Sequence, residues 1–358
     1  VLVFILLVIA LALIAYVYAG YPLIMALWAG CVGGRKGGAF EPHITCCSVV
    51  IAVYNDAKPL LHKLRGMLES EGGWIGEVLV GSDGSSDDLA AAMEGLGDAR
   101  VRLIPFAQRR GKTAVLNELV PQCRYDVVVL MDARQLVAPG AIRALLARFN
   151  DEEVGVVSGE LVFRECEEER DEWGGIRGGS GTAEGMGAYW RYEKWIRKNE
   201  AVVGSVPGAT GACYAMRRAL FCRIPPQTIL DDVAYPMQAV MQGYRCVFEE
   251  QAVVFDVPSC DTQQESVRKR RTLAGNVQLV QLFPGWLLPS RNPIAFQFVS
   301  HKILRLFVPF LAIYALIAAV FGVILAENVL FRGVFAVFLL FCAFFAVFCM
   351  MGAFFERC

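Results

Sequence analysis

The chain has 358 residues, 56% of them hydrophobic and 19% charged, with a formal net charge of −1. The apolar residues are concentrated: stretches 1–34, 306–326 and 333–355 carry no charged side chain, and about 20 apolar residues suffice to cross a bilayer core. This excludes a purely soluble enzyme, a disordered chain and a small disulfide scaffold, and the balanced charge lacks the basic surplus of a nucleic-acid binder.

The N-terminal run is too long for a signal peptide and no A-x-A-type site precedes a domain start, so it reads as an uncleaved anchor. Arg35 and Lys36 follow it, and Lys302 and Arg305 precede the second run. The positive-inside rule then puts residues 35–305 in the cytoplasm. It also puts the link 327–332 outside and Glu356-Arg357 inside, with Arg332 mildly opposing. Pro309 is expected to open the second membrane helix, where a missing N–H costs little. Stretch 276–301 mixes Phe, Trp and Leu with Arg291 and His301 and suits the membrane interface. The chain begins at Val1 and stops at Cys358 just after an apolar run, so it reads as a piece of a longer protein.

Between the membrane runs a repeating pattern starts at Cys46. The apolar run Cys46–Val53 ends in Tyr54-Asn55-Asp56 and leads into a helical pattern at Leu60, Leu61, Leu64, Met67 and Leu68. Val78-Leu79-Val80 ends at Gly81-Ser82-Asp83-Gly84-Ser85, and a helix follows over Asp88–Leu96. Then come Val101–Ile104, a helix over Lys112–Leu119, and Val127–Met131 ending in Asp132. Short apolar strands alternating with helices imply an α/β domain around a buried parallel sheet. Such sheets bind ligands beyond the carboxyl ends of their strands. A single Asp there is ordinarily a helix cap or turn residue; Asp56, Asp83 and Asp132 at three equivalent ends point to a shared site.

Gly81–Asp88 does not match the dinucleotide fingerprint. Gly111-Lys112-Thr113 imitates the end of a phosphate loop, but position 106 is Phe where that loop needs Gly. Lys112 remains a cation at a helix start, facing either a diphosphate or solvent. Asp231-Asp232 are adjacent acids that unlike surroundings can drive to different pKa values, or Asp231 caps a helix over Ala234–Met241. Pro207–Ala212 is glycine-rich and lets backbone approach a ligand. Tyr189-Trp190 and Trp195 share a helical pattern and either pack or face a sugar or the membrane. The acidic Glu165–Glu172 and the glycine-rich Gly174–Gly187 read as a solvated insertion loop. The twelve cysteines show no CxxC and no Cys/His ligand spacing, so they read as buried reduced thiols.

Together these stretches resemble the family-2 glycosyltransferases of GT-A fold, in the membrane-embedded branch of cellulose, hyaluronan and poly-N-acetylglucosamine synthases. The resemblance rests on Val49–Asp56, Gly81–Asp88, Arg110-Gly111-Lys112 with Asn117, Met131–Arg134, Pro207–Ala212, Leu230-Asp231-Asp232 and Arg268–Gly275. It implies an inverting transferase that uses a nucleotide-sugar, UDP-linked by analogy, and extends a glycan. Tyr54, Asn55, Asp56, Asp83 and Gly84 would hold the nucleotide, with Lys112, Asp132, Arg134 and Arg271 near the diphosphate. Asp232 would be the catalytic base, and Gly208, Gly211, Asp231 and Arg268 would lie on the acceptor side.

Two departures from the family pattern stand out. The D-x-D motif, which binds Mg2+ or Mn2+, reads Asp132-Ala133-Arg134 here. Asp132 remains as a metal ligand, and Arg134 either contributes a fork to the phosphates or points away. The Q-x-x-R-W motif of processive members reads Arg268-Lys269-Arg270-Arg271-Thr272, so the acceptor-flanking Trp is missing and the basic cluster serves either the diphosphate or anionic lipid. Thr272 makes a non-processive enzyme acting on a polyprenyl-phosphate type acceptor the second reading, and Arg134 makes a silent nucleotide-binding scaffold the third. The expected layout is a transmembrane segment over 1–34, a cytoplasmic GT-A domain over 39–265, a basic interfacial segment over 266–305 and two transmembrane helices over 306–355. Expected partners are the donor, a glycan or lipid-linked acceptor, the lipid bilayer of a plasma or inner membrane and accessory export subunits, with no nucleic acid.

Overall fold

The computed structural model describes residues 2–33, 41–163, 180–256, 262–325, 328–329 and 332–337. The acidic run Glu165–Glu172, the flanking Arg35 and Lys36 and most of the third apolar run lie outside them. The chain divides into two compact units. One comprises Ala29–Glu167 with Arg197–Phe298, the other Val1–Trp28 with Glu168–Ile196 and Val299–Cys358.

The first unit is built on an eight-stranded sheet of order β3-β2-β1-β4-β7-β6-β8-β5. Its strands are β1 (Cys47–Val53), β2 (Ile75–Asp83), β3 (Val101–Phe106), β4 (Val127–Met131), β5 (Leu136–Val137), β6 (Val154–Phe163), β7 (Cys213–Arg217) and β8 (Arg245–Asp256). The helices of the whole chain are α1 (Leu2–Ala15), α2 (Tyr21–Val32), α3 (Ala57–Glu71), α4 (Leu89–Glu94), α5 (Lys112–Leu119), α6 (Ala141–Ala147), α7 (Ser180–Val203), α8 (Asp231–Met241), α9 (Thr262–Leu282), the single turn α10 (Ala295–Gln297) and α11 (Leu304–Leu325). β4 and most of β1 are buried on both faces, which is why their sequences are continuous apolar runs rather than alternating ones. β3 carries the exposed Arg102 and Pro105, and as an edge strand it tolerates a residue with no N–H.

β1, β2, β3 and β4 run parallel, so their carboxyl ends share one edge of the sheet. The parallel sheet expected from residues 46–131 is present, and beyond β4 the sheet becomes mixed. β7 pairs antiparallel with both β4 and β6. An antiparallel β7 brings its own start, Cys213, opposite Met131, so the glycine-rich Pro207–Ala212 arrives at the same edge as the end of β4.

Gly81 of β2 sets how near α5 comes to the sheet. A Cβ there would lie 2.3 Å from Val115 Cγ1 and 2.8 Å from Leu119 Cδ1, both on α5. The missing side chain lets the helix settle against the strand, and Lys112 at its first position is carried to the strand ends.

The second unit has α1 packed on α11 through Leu7, Ala10, Ala315, Ala318 and Ala319, with Phe335 against Gly322. Small residues at the contact let the backbones approach closely. Helical stretches Leu2–Val32 and Ala295–Ile324 are long and apolar enough to cross a bilayer. Their outward faces are apolar as well: Leu27, Phe310 and Ile324 are each about two-thirds exposed.

Two sequence expectations are corrected here. Pro309 does not open its helix; it sits inside α11, which begins at Leu304 and follows the π-helical turn Phe298–Ile303. Ser180–Gly187, expected in a loop, belongs to α7, where the following amphipathic turns extend the helix through glycine positions.

Candidate active site

The site is assembled at the carboxyl edge of β2, β1 and β4. After β1, Asn55 adopts φ +53°, the one positive φ at a non-glycine position among the described residues. Asn bears this conformation better than most side chains. Its Oδ1 accepts the Ser86 N–H at 2.8 Å and its own N–H donates to Ser85 Oγ at 3.1 Å. Asp87 Oδ2 accepts the Ala57 N–H at 2.9 Å. The turn holding Tyr54, Asn55 and Asp56 is thereby sewn to the turn after β2. Asp56 occupies the N-cap position of α3 but its carboxylate makes no capping bond. Tyr54 stays partly exposed, with the Arg109 guanidinium 4.0 Å over its ring.

Asp83 is buried, and both its oxygens accept main-chain N–H groups, Arg110 at 2.7 Å and Gly111 at 2.8 Å. Gly84 is required next to it. Its φ is +69°, and a Cβ would lie 2.6 Å from the Arg109 nitrogen. Together Asp83 and Gly84 fix the loop that delivers Lys112.

Lys112 is the hub. Its ammonium donates to Asp132 Oδ1 at 2.7 Å and lies 3.2 Å from Asp231 Oδ2. Burial works against its charge, but Asp132, Asp231 and Asp232 hold it well above the usual lysine range. Three carboxylates from the end of β4 and the start of α8 therefore surround one cation. The segment before Asp231 is clamped to α5: Thr113 Oγ1 donates to the Thr228 carbonyl at 2.8 Å, and Asn117 Nδ2 to the Ile224 carbonyl at 2.7 Å.

Asp231 and Asp232 form the first turn of α8, so Asp231 is not the cap of a later helix as the alternative reading had it; the N-cap position is Leu230. Pro236 lies four residues after Asp232 and has no N–H to offer the Asp232 carbonyl. That carbonyl instead accepts the Ala209 N–H at 2.8 Å. The proline thus ties the glycine-rich loop to the turn that bears Asp232. Within the loop, Gly208 has φ +114°, and a Cβ on Gly211 would stand 3.1 Å from Asp232 Oδ2.

Two residues at this edge escaped the sequence reading. Lys63 on α3 is almost fully buried and donates to the Asp132 carbonyl at 2.6 Å, anchoring the backbone whose carboxylate Lys112 holds. Burial pushes its ammonium down to about 8, with Asp132 opposing. Its place on the stripe Leu60, Lys63, Leu64, Met67 was the available signal, a lysine on an apolar face. Tyr214 of β7 is wholly buried with its hydroxyl unpartnered, and burial, Asp231 and Asp232 raise its phenol well above the usual value.

Arg134 is exposed. Arg268, Arg271 and Gly275 lie three and four residues apart on one side of α9. Gly275 meets Leu230, where a Cβ would come within 2.5 Å, and Gln278 Oε1 accepts the Ile229 N–H at 2.9 Å. α9 is thus docked on the segment that leads into Asp231. Arg268 stacks 5.9 Å over the Phe163 ring and Arg271 is exposed.

The donor set bears on a metal. No group of three His, Cys, Asp or Glu side chains among the described residues is placed to hold an ion. Asp132 supplies one carboxylate, partly exposed and sharing Oδ1 with Lys112. This fits Mg2+ or Mn2+ held through one protein carboxylate together with substrate phosphates and water, and does not fit an all-protein cage. The described cysteines are all free thiols, and burial pushes Cys123, Cys213 and Cys246 up to about 12. Cys31 and Cys222 are exposed, contrary to the uniformly buried expectation.

Comparison with known proteins bears on the family and the fold. The poly-beta-1,6-N-acetyl-D-glucosamine synthase of Staphylococcus aureus (strain COL) is 22% identical over 275 residues, 74% of this chain and 63% of that protein. The chain therefore spans less than two thirds of that relative's length. A mannosyltransferase from Pyrobaculum calidifontis, solved in complex with GDP-Man and Mn2+, matches with a TM-score of 0.68 and 22% identity over 96% of this chain and 92% of that one. That likeness shows the GT-A fold. Residues 48–224 match the model of Glycosyl transferase family 2. The chain carries a Glycosyl transferase family 2 domain with the GT-A fold.

Proposed function

We propose that the chain transfers a sugar from a nucleotide-sugar to a hydroxyl of a growing glycan, with inversion at the anomeric carbon. The observation that carries this reading is the Lys112–Asp132–Asp231 cluster beside Asp232, with Gly211 backed so closely by the Asp232 carboxylate that a Cβ would stand 3.1 Å from its Oδ2. Tyr54, Asn55, Asp56, Asp83 and Gly84 line the nucleotide side, and a uracil base is the reading the resemblance favours. Lys112, Arg134 and Arg271 offer positive charge to the diphosphate. Asp232 takes the proton of the acceptor hydroxyl as its oxygen attacks the anomeric carbon. The bond from that carbon to the diphosphate breaks on the opposite face, and the nucleoside diphosphate leaves with the electron pair. Asp132 would hold Mg2+ or Mn2+, which supplies charge neutralisation on the diphosphate. Gly208, Gly211, Asp231 and Arg268 border the acceptor.

The layout proposed from the sequence is a GT-A domain over 39–265 on the cytoplasmic side, a basic interfacial segment over 266–305, and membrane segments over 1–34 and 306–355. The exposed apolar faces of Leu2–Val32 and Ala295–Ile324 support membrane association. The relative's name, a poly-beta-1,6-N-acetyl-D-glucosamine synthase, supports a polysaccharide product. A second reading, transfer to a lipid-linked phosphate, is favoured by Thr272, whose hydroxyl donates to the Arg268 carbonyl where a processive member has Trp.

The test is release of nucleoside diphosphate from a panel of nucleotide-sugars, with chelator and with Mg2+ or Mn2+ restored. Release from one donor, restored by metal and lost in Asp232→Asn, is the expected result. No release from any donor would leave the scaffold reading standing. Long product supports the glycan reading, and single-sugar product the lipid one.

A further inference from the structure

A polar cluster in the membrane-helix unit has no part in the transfer chemistry. Glu193 on α7 accepts from Arg305 Nη1 at Oε1, 2.5 Å away, and meets His301 Nε2 at Oε2, 3.0 Å away. The three side chains are 12%, 17% and 6% exposed. Both Glu193 oxygens are thus engaged, while Arg305 Nε and Nη2 are buried without a hydrogen-bond partner. Those two N–H groups lie along one edge of the guanidinium, the fork that takes two oxygens of a phosphate or carboxylate at once. A helix pin would need the Glu193 contact alone. Burying these two N–H groups without an acceptor costs free energy, and an oxyanion would satisfy both.

The location selects the anion. Arg305 is the last charged residue before the uncharged stretch 306–326, on a helix whose Phe307, Phe310 and Ile313 are more than half exposed. That places it at headgroup depth, where the abundant oxyanion is lipid phosphate. Phenols that suit this depth belong to the same unit: Tyr189 and Tyr192 act electrostatically on Arg305, Tyr192 donates to the Tyr18 carbonyl at 2.6 Å, and Tyr16 and Ser300 share a hydrogen bond of 2.8 Å. Both Tyr16–Gly20 and Phe298–Ile303 are π-helical turns, a widened backbone that recurs at functional sites. Pro309 withholds an N–H from the Arg305 carbonyl, which loosens the helix at this residue.

We infer that Arg305, braced by Glu193 and His301, binds the phosphoryl group of a membrane lipid. The ligand is a phosphate on an apolar chain, from bulk phospholipid or from a lipid-linked phosphate. The inference rests on no step of sugar transfer, so the inactive Asp232→Asn chain should bind the same lipid with the same affinity.

The full chain in maltoside micelles, which carry no phosphate, is titrated with farnesyl monophosphate, farnesol, phosphatidylglycerol and inorganic phosphate, read by tryptophan fluorescence. Farnesyl monophosphate should saturate at a Kd about tenfold below that of farnesol. Arg305→Met should weaken it about tenfold. Arg305→Lys keeps the charge but lacks the fork, and should still weaken it several-fold; it decides the matter where Arg305→Met does not fold. Phosphatidylglycerol binding as well as farnesyl monophosphate assigns the site to bulk phospholipid, and a marked preference for the monoester assigns it to a lipid-linked phosphate; either upholds the inference. Equal binding of farnesol, equal binding of inorganic phosphate, or an unchanged Kd in Arg305→Lys overturns it.

Discussion

Replacing Gly211 by alanine adds one methyl group directly against the proposed base. The Cβ would stand 3.1 Å from Asp232 Oδ2, 3.5 Å from its Cγ and 3.6 Å from its Cβ. An unstrained carbon–oxygen contact is nearer 3.4 Å, so the carboxylate must shift by roughly 0.3 Å. Gly211 has no positive φ, unlike Gly208, so alanine meets no backbone strain and gains slightly from the less flexible unfolded chain. The change is therefore aimed at the position of the carboxylate. A misplacement of about 1 Å costs about 10²-fold in rate, and a third of that, scaled in the exponent, gives about fivefold. Nucleoside diphosphate release at saturating donor should show kcat down about fivefold with donor KM within about twofold of the parent and Tm unchanged or slightly higher. An unchanged kcat would refute the placement of Asp232 at the reacting centre. So would a kcat loss matched by a fall in Tm, because general unfolding rather than a displaced base would then be the cause.

Other expectations follow from the same contacts. Asp232→Asn should lower kcat by about 10²–10⁴-fold while nucleotide binding, measured by calorimetry, stays within a few-fold. Lys112→Met leaves the buried Asp231 and its neighbour Asp132 without their counter-ion, so denaturant unfolding should show a loss of about 3 kcal/mol and donor KM should rise; unchanged stability would mean the carboxylates find another partner. Gly81→Ala drives a methyl into Val115 and Leu119 of α5 and should lower stability by about 1–3 kcal/mol, visible in Tm. Burial acts to raise the Glu193 pKa, yet His301 and Arg305 hold it down, from 4.5 to about 2. The folded state therefore binds this proton less readily than the unfolded one, and the contribution is complete above pH 4.5 and lost as pH falls toward 2. Acid-unfolding curves of the parent and Glu193→Gln should converge in that window, and parallel curves would refute the assignment.

The amino-acid order by itself determined the elements whose burial is two-sided or strongly periodic. Val127–Met131 and Lys112–Leu119 have the same limits in sequence and structure, because an unbroken apolar pentapeptide before Asp favours a buried strand and a largely buried octet after Gly, free of Gly and Pro, favours a helix. That the strands before Asp56, Asp83 and Asp132 end at one edge was legible for the same reason: parallel strands must present their carboxyl ends together. Tertiary structure alone decided what crosses the chain. That β7 runs antiparallel, that Lys63 reaches the Asp132 carbonyl, that Pro236 frees the Asp232 carbonyl for Ala209, and that Arg305 meets Glu193 across 112 residues are contacts between segments whose local patterns carry no record of one another. Periodicity states which face of a helix or strand avoids water. It does not state which distant surface covers that face, nor which donor will satisfy a carbonyl left open there.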